Sequence, residues 1–142
     1  MLASLKRIVV LVVTLAGLLP AQDHKGFDAA MKSADTSIKA LNKMEAKTGP
    51  QAVSTAERLA GLYEEMIGFW RQRGKADAVK FSVDGKAAAL ALMEAAYAGN
   101  GQDAAAALKS LGATCRGCHQ AYRVKRPDGT STFPELWREP KK

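Results

Sequence analysis

Four long segments of the chain place apolar residues three or four positions apart, which is the spacing of one face of an α-helix. The segments cover residues 26–47, 51–73, 76–98 and 102–124. Gly49–Pro50, Gly74 and the run from Gly99 to Gly101 separate them, and no useful stretch alternates in the way of a β-strand. Four helices of about 20 residues with short connections predict an all-α fold, an antiparallel up-down-up-down four-helix bundle.

Each predicted helix has one apolar stripe. In residues 26–47 the stripe is Phe27, Met31, Ala34, Ile38, Leu41 and Met44. In residues 51–73 it is Val53, Ala56, Ala60, Tyr63, Ile67 and Trp70, widened by Leu59, Leu62 and Met66. In residues 76–98 it is Val79, Val83, Ala87, Leu90, Met93 and Tyr97. In residues 102–124 it is Ala104, Leu108, Leu111, Cys115, Cys118 and Tyr122, so both cysteines lie on the predicted buried face of the last helix.

The first 21 residues have the three parts of a secretory signal peptide. Lys6 and Arg7 form a positive start, residues 8–19 are an uncharged run of twelve, and Pro20–Ala21 precede the first acidic residue. Twelve residues are fewer than the roughly 20 that a membrane-spanning helix needs. We therefore predict cleavage after Ala21, a four-helix domain at 22–126 and an extended tail at 127–142, in a periplasmic or otherwise exported protein.

Composition agrees with one small domain, since the chain has 142 residues of which 47% are apolar. The formal net charge falls from +7 to +5 when Lys6 and Arg7 leave with the signal peptide, and export disfavours a nucleic-acid partner. The remaining surplus of lysines is typical of a solvated face or of a surface that docks a transient, acidic redox partner. These lysines are Lys25, Lys32, Lys39, Lys43 and Lys47.

Residues 115–119 read Cys-Arg-Gly-Cys-His, and C-x-x-C-H in an exported protein is typical of a c-type haem attachment site. Residues three and four apart share a helix face. Cys115 and Cys118 can therefore each add a thiol to one haem vinyl group, while His119 directs an imidazole nitrogen at the iron. Gly117 is expected to leave room for the porphyrin edge. The predicted cofactor is one covalently attached haem c.

Other interpretations of the cysteine pair remain open. A thiol–disulfide oxidoreductase uses C-x-x-C, but normally at the start of a helix that follows a strand. A zinc site would need a fourth ligand, for which His24 is the only other histidine. A disulfide between residues three apart on a regular helix meets the required geometry poorly. The sequence places no serine with a histidine partner, so we expect a haem protein that is not an enzyme.

With these residues the chain resembles the cytochrome c′ family, the class II c-type cytochromes, over residues 27–125. That family typically has a basic residue after the first cysteine, and an aromatic residue and an arginine three and four residues after the histidine. Arg116, Tyr122 and Arg123 match this pattern. The resemblance implies haem on the last helix of a four-helix bundle, with Arg123 supporting His119 and the haem electrostatically. Phe27 stands where the family often has an arginine.

The resemblance also defines two functions, according to what faces the iron opposite the histidine. In the family a bulky apolar residue from the first helix leaves the iron five-coordinate and able to bind nitric oxide or carbon monoxide. A methionine there makes the iron six-coordinate and low-spin, in an electron carrier. Counted back from Gly49–Pro50, Met31 falls at that position. We expect His119 and Met31 as axial ligands in an electron-transfer protein, and gas binding is the alternative if Met31 only packs against the core.

The resemblance further implies that the chain can form a homodimer, because dimers through the first two helices are common in the family. Tyr63, Phe69 and Trp70 would serve as the contact if they are exposed, although their spacing also fits a core. We expect Met66 and Met93 in the core, and the tail residues to fold back on the bundle. These tail residues are Phe133, Leu136 and Trp137.

Overall fold

The computed structural model describes residues 24–132, with the side chains of residues 25–130. Its helices are α1 (His24–Lys43), α2 (Pro50–Gln72), α3 (Ala76–Tyr97) and α4 (Gly101–Tyr122). Two short strands follow, β1 (Val124–Lys125) and β2 (Ser131–Thr132). The predicted signal peptide, and the predicted docking of Phe133, Leu136 and Trp137, lie outside the described residues.

Successive helices pack side by side, α1 on α2, α2 on α3 and α3 on α4, and the short turns make these neighbours antiparallel. α1 and α4, the first and last helices, meet only marginally. The predicted four-helix bundle is therefore confirmed, and each helix begins and ends within four residues of its predicted bounds. Within residues 24–132, no helix combines the length and the apolar character needed to span a membrane.

Local chemistry sets the helix ends. Asn100 begins α4, because its side-chain oxygen accepts a hydrogen bond from the backbone N–H of Asp103 at 3.1 Å. Pro50 occupies the first turn of α2, where backbone N–H groups have no partner within the helix, so the N–H that proline lacks is not needed. Gly74 follows α2 with a φ of 65°, the left-handed conformation that commonly ends a helix.

α4 ends at Tyr122, two residues earlier than predicted, because the chain turns into a short hairpin. Arg123 is already extended, although its N–H still donates to the carbonyl of His119 at 2.9 Å. Residues 124–125 then pair antiparallel with residues 131–132. The sequence pattern missed these strands because two residues are too few to establish an alternation.

The stripes predicted for α1, α2 and α4 lie buried or half-buried, as expected. Aromatic rings form the centre of the core: Phe27 and Phe69 stack with centroids 4.1 Å apart, and Trp70 stands edge-on to both. Tyr63, Phe69 and Trp70 are all buried. The hypothesis that these three side chains offer a dimer contact is therefore wrong, because their rings are part of the core.

α3 turns a different face to the core from the one predicted. Val83, Leu90 and Tyr97 of the predicted stripe are 43%, 37% and 85% exposed. The buried residues of α3 are Ala78, Ser82, Gly85, Ala89, Leu92 and Ala96. These small side chains let α3 approach α2 closely, and a Cβ placed on Gly85 would lie 2.3 Å from the ring of Tyr63. The large apolar residues were misleading because the packing at this interface requires small ones.

Replacing Leu92 with alanine should lower the free energy of unfolding by about 2–5 kcal/mol, because it truncates a fully buried side chain. Leu90→Ala removes the same atoms from a side chain that is 37% exposed, and should cost less than about 1 kcal/mol. Urea unfolding of the two variants and the parent protein measures the difference. Equal losses would contradict the orientation of α3.

Candidate cofactor site

A cleft opens between α1 and α4, where the bundle is least tightly packed, and all four helices contribute to its lining. It holds about 810 Å³ of atom-free space, including its open mouth. Most of the lining is apolar, and it includes the rings of Phe27, Tyr63, Trp70 and Phe81. A concave, mostly apolar lining of this kind is typical of a site for an organic ligand.

The cleft brings together the predicted site residues of α1 and α4. Phe27 and Met31 line it from α1, and Cys115, Cys118 and His119 line it from α4. Met66 of α2, which the sequence assigned to the core, is buried and also lines the cleft. Arg123 is exposed just beyond the end of α4 and is not among the lining residues.

Cys115 and Cys118 are free, half-buried thiols one helical turn apart. Burial, with a smaller contribution from Cys115 and Asp77, raises the pKa of Cys118 to about 11. Cys118 therefore stays protonated near neutral pH. A thiol–disulfide oxidoreductase normally carries its cysteine pair at the start of a helix, whereas Cys115 and Cys118 lie near the C-terminal end of α4.

Tyr63 of α2 reaches across the bundle to the first cysteine. Its hydroxyl oxygen lies 3.2 Å from Sγ of Cys115. Burial and the neighbouring sulfur raise the pKa of Tyr63 above its ordinary value of about 10, so the phenol keeps its proton. The sequence analysis missed this contact, although the helical spacing of Tyr63, Met66 and Trp70 puts all three on the face of α2 that lines the cleft.

His119 is half-buried in the cleft. Burial lowers the pKa of its imidazole, and the charge of Arg123 lowers it further, while Asp35 on α1 acts in the opposite direction. Near neutral pH the ring is therefore neutral, which is the form that ligates a metal. Arg123 thus acts electrostatically on His119, while its support of the haem stays a prediction.

Tyr122 fixes the end of α4 close to this histidine. Its hydroxyl donates to the carboxylate of Asp77 in the first turn of α3, and its ring stacks on Trp70 with centroids 5.5 Å apart. The donated hydrogen bond lowers the pKa of Asp77, while burial and Asp77 raise the pKa of Tyr122 to about 12. The aromatic residue three positions after His119 thus ties α4 to both α2 and α3.

Gly117 faces α3. A Cβ placed on it would lie 2.6 Å from the ring of Phe81. The space expected for a porphyrin edge beside Gly117 is instead filled by Phe81, and the glycine is needed because α3 and α4 approach closely there.

The donor set fits a covalently held haem better than a bare metal ion. Cys115 and Cys118 share the cleft with a neutral imidazole and with the thioether of Met31, inside an apolar space. In the part of the chain that the structure describes, no three His, Cys, Asp or Glu side chains gather in a way that would bind a metal ion. The zinc interpretation therefore has no support among these residues.

Comparison with known proteins gives the same answer from independent information. The family model described as Cytochrome C' matches residues 60–123. Cytochrome c-556 of Agrobacterium tumefaciens (strain apple 185) is 32% identical over 108 residues, which cover 75% of this chain and 78% of that protein. Cytochrome c' of Pararhodospirillum photometricum is 53% identical over 49 residues, which cover 34% of this chain and 36% of that protein. No solved structure matches the chain.

The bundle, the cleft and these relatives together define a c-type cytochrome built on four helices. Its cofactor is covalently bound haem c. The chain belongs to the cytochrome c′ family, and the resemblance stated from its sequence is confirmed.

Tyr122→Phe should reduce stability at neutral pH by about 0.5–1.5 kcal/mol, because it removes the hydrogen bond to Asp77. A lowered pKa means that this contribution is present above the ordinary Asp pKa near 4 and is lost as the pH falls below it. Thermal unfolding at pH 7 and pH 3 measures both effects, with Tyr97→Phe as the control on an exposed tyrosine. A variant that is equally destabilised at both pH values would contradict the role of Asp77.

Proposed function

We propose that this protein is an exported monohaem electron carrier whose haem is bonded to Cys115 and Cys118, with His119 and Met31 as axial ligands. The observation that supports it is the placement of Met31 and His119 in one cleft, on two helices that otherwise barely touch. When bound, the haem iron supplies a one-electron change between its ferric and ferrous states. Imidazole with thioether is an axial pair that raises the iron potential.

The residues of the chain hold and shield the site. Cys115 and Cys118 project from one face of α4, so two covalent bonds would fix the plane of the cofactor relative to that helix. The neutral imidazole of His119 needs no proton loss before it ligates. The rings of Phe27 and Trp70 give the cleft an apolar wall, which would limit the solvent reorganisation that accompanies a change of charge.

The alternative is a five-coordinate haem protein that binds nitric oxide or carbon monoxide. It is favoured by the apolar side chains beside Met31 on α1, since Phe27, Ala34 and Ile38 would leave an uncharged pocket if Met31 packed against the wall. In both cases the protein binds and tunes a cofactor, and we propose no enzymatic reaction for it.

We also propose that a transient, acidic redox partner docks on α1. Four of its lysines, at seven-, seven- and four-residue spacing, share one helix face and are exposed: Lys25, Lys32, Lys39 and Lys43. Lys39 pairs with Asp35 at 2.6 Å, and the other three lysines leave this stripe with a positive excess. Lys47 is half-buried and donates to the carbonyl of Met44, which takes it out of this surface. Redox encounters of this kind use small, charged interfaces.

Met31→Leu should convert a low-spin haem into a five-coordinate, high-spin one, because it replaces the thioether with a side chain that cannot ligate iron. Absorption spectra of the oxidised and reduced protein measure the change. We expect the parent to have sharp, separated α and β bands and to ignore carbon monoxide. The variant should have broad bands and bind the gas.

Met44→Leu is the matched control, since Met44 is half-buried but does not line the cleft, and its spectrum should equal that of the parent. Met66→Leu tests the other methionine of the cleft. Loss of the low-spin spectrum in Met66→Leu rather than in Met31→Leu would place the ligand on α2. A parent protein that binds carbon monoxide readily would favour the gas-binding alternative.

A further inference from the structure

Tyr63 is a buried polar side chain that axial ligation and thioether attachment do not use. It is 5% exposed, lines the cleft, and directs its hydroxyl at Sγ of Cys115. Burying a hydroxyl is costly unless it finds a hydrogen-bond partner. Its partner is the Cys115 sulfur, to which the haem is proposed to be bonded.

The ring of Tyr63 is held in a narrow space on α3. Atoms Cε1 and Cζ lie 2.3 Å and 2.7 Å from where a Cβ of Gly85 would be. Only glycine therefore admits the ring at this depth. The fit leaves the ring little freedom to tilt, so the position of the hydroxyl is set by helix packing.

We propose that Tyr63 is a positioning residue for the Cys115 sulfur, which it holds toward the cleft and, after attachment, contacts as a hydrogen-bond donor that raises the reduction potential of the haem. This inference rests on the proposed attachment at Cys115.

Chemistry fixes the direction of this hydrogen bond in the mature protein. Between a thiol and a phenol, either group can donate. When the thiol adds to a vinyl group, its S–H bond is replaced by a sulfur–carbon bond and the hydrogen passes to the other vinyl carbon, with no oxidant or reductant consumed. A thioether sulfur has no hydrogen, so the Tyr63 hydroxyl must then be the donor.

The hydroxyl of Thr114 also interacts with that of Tyr63, and it donates its own proton to the carbonyl of Leu111 at 2.8 Å, so its oxygen is a second acceptor beside the sulfur. In the proposed arrangement the O–H of Tyr63 directs its positive end at the sulfur. In a low-dielectric site a positive partial charge at the edge of the cofactor disfavours the more positive, oxidised iron. Removal of the Tyr63 hydroxyl should therefore lower the reduction potential of the haem.

Tyr63→Phe is the direct test, because phenylalanine keeps the ring beside Gly85 and removes only the hydroxyl. Redox titration of the haem-loaded protein should give a lower midpoint potential than the parent, while its thermal unfolding stays cooperative. Tyr97→Phe, which removes the hydroxyl of a tyrosine 85% exposed on α3, should leave the potential unchanged. In the parent, NMR should detect a slowly exchanging hydroxyl proton close to the β-protons of Cys115.

Gly85→Ala reaches the same hydrogen bond from the other side, because the added methyl forces the ring away while the hydroxyl is kept. Its midpoint potential should also fall, and the double variant Tyr63→Phe with Gly85→Ala should fall no further than Tyr63→Phe alone. Additive shifts would mean that the two changes act through separate effects, which counts against the proposal.

Mass analysis of the haem-bearing peptide separates this inference from the proposed function. If both thioether bonds are present and Tyr63→Phe has the potential of Tyr97→Phe, the role of Tyr63 is overturned and the electron-carrier assignment stands. If the peptide has no bond at Cys115, both the attachment and the role of Tyr63 are overturned.

Discussion

The close packing of α2 on α3 is the constraint on which the rest of the molecule depends. Gly85 and the small residues near it on α3 leave space at this interface, and the ring of Tyr63 occupies that space. The same closeness lets α3 support α4 at Gly117. Three helices then form a dense unit, and the unfilled space remains on the side where α1 meets α4.

Two tyrosines connect this packing to α4 from opposite directions. Tyr63 extends from α2 to the first cysteine of α4. Tyr122 extends from the end of α4 to Asp77 on α3 and stacks on Trp70 of α2. These two contacts hold α4 on either side of residues 115–119, so the orientation of the C-x-x-C-H segment depends on side chains outside it.

The sequence was sufficient for the bundle and for the identity of the cofactor, because three helices have large apolar residues on their buried faces and C-x-x-C-H is a specific motif. It was misleading for α3, where Val83, Leu90 and Tyr97 are exposed. A search for periodicity relies on large apolar side chains, whereas the buried face of α3 consists mainly of small residues. The contact of Tyr63 with Cys115 joins positions 52 residues apart, and helix packing rather than local pattern creates it.

The marginal contact of α1 with α4 also affects how a cofactor as large as haem could enter the cleft between them. α1 packs on α2 and has little other support, whereas α3 packs closely on both α2 and α4. Opening of such a helix needs less free energy than global unfolding, since segments with few contacts separate as independent units. A transient detachment of α1 would expose the cysteines while the remaining helices keep their native arrangement, and its return would bring Met31 back to the site. α1 therefore both forms one side of the cleft and is the helix whose detachment would open it.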